Sequence, residues 1–172
     1  LLQILVPLVL LAVIGGIWLL KDSQKISAAA QDQPVAPEMA LETTEIDLQA
    51  LSARGLPMLI DFGADACVPC IRMAPALKAV HASTQGKAVV KFLDVWKHSD
   101  AVTDFPVQLV TTQFFFQAGG KPYEPSEEIA ASIPFTQYSD QDSGELVYTA
   151  HQGTLTEEQM LMILSDMGVT LS

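Results

Sequence analysis

Hydrophobic and polar positions fall into regular blocks from about residue 46 onward, with lengths typical of strands and helices. A short helix is predicted over residues 47–53, and the apolar run at 58–62 predicts a buried strand. Apolar residues at helical spacing predict a helix over 71–83 that Pro75 should kink. Residues 88–95 predict a second buried strand, which completes a strand–helix–strand unit.

The second half of the domain shows weaker strands and one clear helix. Strands are predicted at 113–116 and 146–150, with one helical turn between 98 and 105. The final helix begins with a T-x-x-Q capping box formed by Thr156 and Gln159, and Gly168 ends the helix. Its apolar stripe predicts a packed face and consists of Met160, Ile163, Leu164 and Met167.

An irregular, proline-containing segment at 121–143 separates the last two predicted strands. It is too long for a hairpin turn and is interpreted as an insertion. Residues 127–131 could form a helical turn beside the active site, but a passive surface loop is the preferred expectation.

These elements predict an α/β fold with a mixed central sheet and helices on both faces. A strand–helix–strand unit normally has parallel strands and a right-handed crossover, which places reaction sites at the carboxyl ends of the strands. Cys67 and Cys70 directly follow the first buried strand, and they therefore lie at that end.

The first twenty residues differ from the rest of the chain. Residues 1–20 carry no charge and are long enough to cross a bilayer as a helix, so they predict a single transmembrane anchor. The alternatives are a cleaved signal peptide, with a cleavage site at 28–30, and a buried helix of a soluble domain. Residues 21–42 have the composition of a flexible linker, which leaves 43–172 as the folded domain.

Composition narrows the possible partners. The net charge of −11 argues against nucleic acid and anionic lipid as ligands. The chain has 2 cysteines, and the loop between them is too short for an effective structural disulfide. They are therefore interpreted as reactive residues.

The spacing of the cysteines indicates thiol–disulfide exchange. Cys67 is expected at a helix N-terminus, where free N–H groups and the helix dipole favour a thiolate, so it is the predicted nucleophile. Cys70 lies within one turn and can resolve a mixed disulfide. Pro69 suits a first helical turn, because its missing N–H would have no partner there.

The segment Ile60-Asp61-Phe62-Gly63-Ala64-Asp65-Ala66-Cys67-Val68-Pro69-Cys70, followed by Met73-Ala74-Pro75, resembles the active-site strand and helix of the thioredoxin-like superfamily. The resemblance extends across roughly residues 46–168 and implies a thiol–disulfide oxidoreductase that needs no cofactor and no metal. Tryptophans of the family pattern are replaced by Gly63 and Ala66, so substrate contacts are expected to differ.

The resemblance also implies roles for individual residues. Asp61 corresponds to the family's buried carboxylate, which moves protons to and from the resolving cysteine, and Lys91 corresponds to the lysine paired with it. Val68 and Pro69 are expected to contact substrate. In the loop facing the cysteines, where the family has a cis-proline, Thr111 takes that place, and with Val110 it is assigned to substrate binding.

Resemblance to membrane-anchored thioredoxins implies an extracytoplasmic, periplasmic domain that reduces cysteine-containing proteins. Its electron donor would be a CcdA- or DsbD-like membrane transporter. Three alternatives remain open: a redox-silent binding module on the same fold, a metal or iron–sulfur site at the cysteine pair, and peroxiredoxin or glutaredoxin activity, for which no supporting motif is present.

Overall fold

The computed structural model describes residues 39–171, and a six-stranded mixed sheet forms its centre. The strands are β1 (Glu42–Thr43), β2 (Met58–Gly63), β3 (Val89–Asp94), β4 (Thr112–Phe116), β5 (Thr136–Ser139) and β6 (Leu146–Gln152). Their order across the sheet is β1-β3-β2-β4-β6-β5. β3 is parallel to β1 and β2, whereas the β2–β4, β4–β6 and β6–β5 pairs are antiparallel. The predicted α/β fold with a mixed sheet is confirmed.

Within residues 39–171, four α-helices and the 3-10 helix at 99–102 accompany the strands. They are α1 (Leu48–Ser52), α2 (Val68–Ser83), α3 (Glu127–Ser132), α4 (Glu157–Asp166) and the 3-10 helix Ser99–Val102. Asp47 caps α1 by accepting from the Ala50 N–H, and α2 continues through Pro75. Thr156 and Gln159 form the predicted capping box of α4.

The two faces of the sheet carry separate apolar cores, because successive side chains of a strand point to opposite faces. Leu59 and Phe115 face α2 and α4 in one core. The other core lies on the α1 face and receives alternate side chains of the same strands, including Ile60 and Phe114. The site described below lies on the α2 face of β2.

The expectation that 121–143 forms a passive surface loop is wrong. This insertion contributes helix α3 and strand β5, which extends the sheet beyond β6. Tyr123 and Ile133 from the insertion are fully buried in the core under α4. The Tyr123 hydroxyl donates a 2.5 Å hydrogen bond to the Asp166 carboxylate of α4, so apolar burial and a polar anchor both hold the insertion in place.

The folded unit begins slightly earlier than the sequence suggested. Leu41 packs against the core and Glu42 begins β1, although both fall inside the predicted linker 21–42. The predicted anchor at 1–20 and the rest of the linker up to residue 38 lie outside the described residues. Within residues 39–171, no helix has the length and apolar character needed to span a bilayer.

The buried position of Ile133 gives a test of the insertion. We expect Ile133→Ala to lower the free energy of unfolding by about 2–5 kcal/mol, because the substitution leaves a cavity beneath α4. Urea unfolding of the full chain measures this value. Val147→Ala, at an exposed aliphatic position, is the control and should change stability by less than about 1 kcal/mol. A loss equal to that of the control would show that the insertion is not part of the cooperative core.

Candidate active site at the end of the second strand

The cysteine pair lies where β2 ends and α2 begins, as the sequence predicted. Cys67 is the N-cap residue of α2, and no side chain caps the helix there. The first turn therefore directs its free N–H groups toward the region of Cys67, where they and the helix dipole favour negative charge. Val68 is 64% exposed and stands between the cysteines together with the half-buried Pro69.

Cys70 lies deeper than its position on a helix surface would suggest. It forms a small buried cluster with Cys67 and Ala64, and both cysteines are present as free thiols. Burial is the main reason that the pKa of Cys70 rises to about 12, and the neighbouring Cys67 raises it further. The Ala64 N–H, which donates to the Cys70 sulfur at 3.4 Å, opposes the rise. Cys70 therefore needs a base before it can attack a disulfide.

Asp61 supplies a carboxyl group in this apolar surrounding. Its side chain is 1% exposed, and it points from β2 toward α2. Burial raises the pKa of Asp61 from 3.8 to about 7, while the hydrogen bond from Gln113 works in the opposite direction. A carboxyl group that titrates near neutral pH can both accept and return a proton, as general acid–base chemistry requires.

A cavity of about 150 Å³ joins Asp61 and Cys70. Its walls come from α2 and from the β1–β3 edge of the sheet, and Phe92 and Leu41 make them mainly apolar. The space is large enough for several water molecules. A proton can therefore pass between the carboxyl group and the thiol through water.

The structure explains why a glycine replaces tryptophan at position 63. A Cβ atom on Gly63 would lie 2.7 Å from the Phe92 ring, and also 3.3 Å from an Asp61 oxygen and 3.5 Å from the Cys70 sulfur. The ring of Phe92 thus occupies the space above the glycine backbone. A larger residue at position 63 would displace Phe92 from the wall of the cavity.

The predicted pairing of Lys91 with Asp61 is wrong. In the β2–β3 ladder Asp61 lies opposite Phe92, whereas Lys91 lies opposite Ile60. Neighbouring residues of a strand point to opposite faces, so the two charged side chains are separated by the sheet. No ion pair joins them within residues 39–171.

Lys91 instead has a structural position near the start of the folded unit. Its ammonium donates a 2.7 Å hydrogen bond to the Ala40 carbonyl. Burial, followed by the charge of Arg54, lowers the pKa of Lys91. The side chain thus connects β3 to the segment that precedes β1.

Asp94 organises the loop that precedes Cys67, although sequence analysis assigned it no role. Its carboxylate accepts hydrogen bonds from the backbone N–H groups of Asp65, Trp96 and Lys97 at 3.0, 2.9 and 3.2 Å. Burial alone would raise the pKa of Asp94, but these donors and the Lys97 ammonium hold it below its ordinary value. The Lys97 side chain also bonds Asp65, so the two loops beside the site are joined.

The loop facing the cysteines lies where the resemblance placed it. Val110 packs against the Cys67–Cys70 cluster, and the Val110–Thr111 peptide bond is cis, as at the family's proline. Thr111 is buried and its hydroxyl donates to the Gly153 carbonyl at 2.7 Å. Its own carbonyl accepts from the Gly153 N–H at 3.0 Å, so this loop is held to the end of β6.

Exposed apolar side chains are present on the segments next to the pair. They belong to the first turn of α2, to the segment after β3 and to the loop before the cis bond, and they are Val68, Ile71, Trp96 and Leu109. A surface of this kind suits contact with an apolar segment of another protein. Ala66, at the second tryptophan position of the family pattern, is exposed and small, and Trp96 supplies an indole on a different segment.

Sequence reasoning missed Gln113, the direct partner of Asp61. The available signal was a polar residue within the apolar run of β4, but its importance depends on strand register. Within residues 39–171, no group of three or more histidine, cysteine, aspartate or glutamate side chains is arranged to hold a metal ion.

The buried carboxyl group predicts a specific pH dependence of stability. The raised pKa of Asp61 means that the folded state keeps a proton that the unfolded chain releases above pH 3.8, so stability falls as pH rises from there to about 7. A shift of roughly three units corresponds to about 4 kcal/mol. We expect Asp61→Asn to remove this loss, so that its advantage over wild type grows between pH 4 and pH 8.

Urea unfolding of the full chain at several pH values measures the effect. The matched control is Asp142→Asn, at an exposed carboxylate in the β5–β6 turn, and it should leave the pH dependence unchanged. Parallel stability curves for wild type and Asp61→Asn would contradict the raised pKa.

Comparison with known proteins agrees with this geometry. The family model described as Thioredoxin matches residues 40–133, more than half of the chain. Thioredoxin 1 of Chlorobaculum tepidum is 33% identical over 82 residues, which cover 48% of this chain and 77% of that protein. Thioredoxin of Alicyclobacillus acidocaldarius is 29% identical over 96 residues, which cover 52% and 90%.

Solved structures show the same fold. Chloroplastic thioredoxin z superposes with a TM-score of 0.51 at 18% identity, over 76% of this chain and 98% of its own. The thioredoxin of Malassezia sympodialis gives 0.51 at 14% identity, over 79% and 98%. Together with the cysteine pair, the helix N-terminus and the buried carboxyl group, these similarities show that the chain belongs to the thioredoxin family.

Proposed function

We propose that this protein is a protein-disulfide reductase in which Cys67 attacks the substrate and Cys70 releases it. The observation that carries the proposal is the asymmetry of the pair. Both cysteines are buried, but Cys67 stands at the uncapped N-terminus of α2, whereas burial and the neighbouring Cys67 raise the pKa of Cys70 to about 12. One sulfur is suited to begin the exchange and the other to complete it.

In the first step the Cys67 thiolate attacks one sulfur of a substrate disulfide. A bond forms between Cys67 and that sulfur, the substrate S–S bond breaks, and the second substrate sulfur leaves as a thiolate that takes up a proton. Val110 and the exposed side chains of Val68 and Trp96 border the place where the substrate segment would lie.

In the second step the Asp61 carboxylate takes the proton of the Cys70 thiol, through water in the cavity that both residues line. The Cys70 sulfur then attacks Cys67, the bond between Cys67 and the substrate breaks, the released substrate sulfur takes up a proton, and the Cys67–Cys70 disulfide forms. Two electrons have passed to the substrate, which leaves as a dithiol. A carboxyl group with a pKa of about 7 suits this transfer at neutral pH.

The apolar residues 1–20 support a location for this reaction. We propose that they anchor the protein in a membrane by one span, with the folded domain on the extracytoplasmic, periplasmic side. Because that compartment is oxidising, a pair that acts as a reductant needs electrons from across the membrane. A CcdA- or DsbD-like transporter is the proposed donor.

Trapping of substrates tests the assignment of the two cysteines. Cys70→Ser should accumulate mixed disulfides with partner proteins, because the second step cannot occur, and it should lose at least about 100-fold in turnover with a protein disulfide. Nonreducing gels of the full chain, followed by release with dithiothreitol, measure the trapped species.

Cys67→Ser is the matched control and should trap nothing, since the raised pKa of Cys70 keeps it as a thiol that does not begin the exchange. Equal trapping by both variants would contradict the assigned roles. A chain that neither reduces protein disulfides nor forms a reversible Cys67–Cys70 disulfide would contradict the proposed function itself.

Membrane fractionation tests the location. We expect the full chain to remain in the membrane pellet after alkaline carbonate extraction, whereas a variant lacking residues 1–36 should appear in the soluble fraction, because the apolar segment supplies the hydrophobic attachment. A soluble full-length chain would contradict the anchor.

In cells without the proposed transporter, alkylation of free thiols should show the pair oxidised, and an unchanged redox state would exclude that donor.

A further inference from the structure

Gln113 is a polar residue at a buried position where an apolar side chain is expected. It lies in the middle of the sheet on β4, between Thr112 and the phenylalanines at 114–116, and it is completely buried. In the β2–β4 ladder it stands directly opposite Asp61. Its side chain therefore lies on the α2 face, beside the carboxyl group.

The side-chain amide of Gln113 makes only part of the hydrogen bonds that it could make there. Its Nε2 donates a 2.8 Å hydrogen bond to the Asp61 carboxyl and lies 3.8 Å from the sulfur of Met73. Its Oε1 is buried without a hydrogen-bond partner among residues 39–171. An unpaired buried amide oxygen destabilises a fold, so an apolar residue of similar volume would serve stability better. The glutamine is therefore better explained by its effect on Asp61.

We infer that Gln113 is a positioning residue that holds the Asp61 carboxyl group in both of its protonation states while it exchanges a proton with Cys70. The carboxylate accepts from Nε2 in the arrangement observed. After protonation, a rotation of the amide by half a turn presents the unpaired Oε1 as an acceptor for the new O–H group. That bond joins neutral groups and is weaker than the charge-assisted bond to the carboxylate, so the amide holds both states but favours the carboxylate. This inference rests on the proposed function, because the proton exchange is its second step.

The other groups around Asp61 do not replace this contact. Titratable side chains on the same cavity are Glu42 of β1, Asp65 of the preceding loop, and Cys70 and Lys78 of α2. Cys67 belongs to the adjoining cluster, and Lys91 is on the opposite face of the sheet.

On the far side of Gln113, the β4–β6 ladder places His151, whose Nδ1 bonds the Pro134 carbonyl. In the described part of the chain, Gln113 is the one side chain that donates a hydrogen bond to Asp61. Burial favours the protonated form of Asp61, and this amide supplies the hydrogen bond that opposes it.

Gln113→Met tests the inference, because it keeps the length of the side chain and removes the donor. We expect the midpoint of Asp61 titration in the reduced full chain to move upward by about one pH unit, a tenfold change in the proton equilibrium. Carbon-13 NMR of the labelled aspartate carboxyls reads this midpoint directly, and Asp61→Asn identifies the signal. Thr149→Val removes a buried, unpaired hydroxyl from the same face without touching Asp61, and it should leave the midpoint unchanged.

Gln113→Glu is a second variant for the case that methionine disturbs the core. It preserves the shape of the side chain and should also raise the midpoint of Asp61 titration. Two adjacent carboxyl groups do not readily ionise together. A midpoint equal to that of wild type in the folded variants would overturn the inference.

A kinetic measurement separates this inference from the proposed function. Reduced protein mixed with excess 5,5′-dithiobis(2-nitrobenzoate) should release one thionitrobenzoate when Cys67 reacts, and a second in a first-order phase when Cys70 resolves the mixed disulfide. The pH midpoint of the second phase should follow the NMR midpoint in wild type and in Gln113→Met.

A missing second phase in wild type would overturn the proposed resolving step and the inference that depends on it. A normal second phase whose midpoint is not moved by Gln113→Met would overturn the inference alone. In the Asp61→Asn background, Gln113→Met should have no further effect on this phase, since the amide acts through the carboxyl group.

Discussion

The structure of the site depends on one buried carboxyl group. Asp61 sits between the sheet and α2 with almost no exposed surface, and the hydrogen bond from Gln113 offsets only part of the cost of its burial. The same burial raises the pKa of Asp61 toward neutrality, so the feature that destabilises the fold also makes the group useful as a base. Cys70 shares the cavity and requires that base.

Several residues around the cysteine pair differ from the family pattern. Gly63 replaces a tryptophan because the Phe92 ring occupies the adjoining space, and exposed Ala66 replaces another. Trp96 adds an indole from the segment that follows β3, whose backbone is held by the Asp94 carboxylate. These residue differences change the shape of the apolar surface. The cysteines, the carboxyl group and the cis bond before Thr111 stay in place.

Strong local signals made most of the elements predictable. The apolar run of β2, the capping box at Thr156 and the spacing of the two cysteines each depend on neighbouring residues in the chain, so they predicted correct elements at correct positions. The insertion was misjudged for the opposite reason. Its core residues Tyr123 and Ile133 are separated by polar residues, and their burial depends on α4, which is distant in sequence.

The amino-acid sequence by itself determined the α/β class, the position of Cys67 at the start of α2 and the presence of an acidic residue on a buried strand, because these follow from local pattern. Tertiary structure alone decided which side chains meet Asp61. The register of β2 against β3 and β4 places Phe92 and Gln113 on its face and Lys91 on the other. A shift by one residue reverses the face of every side chain in a strand, and local sequence carries no measure of that register.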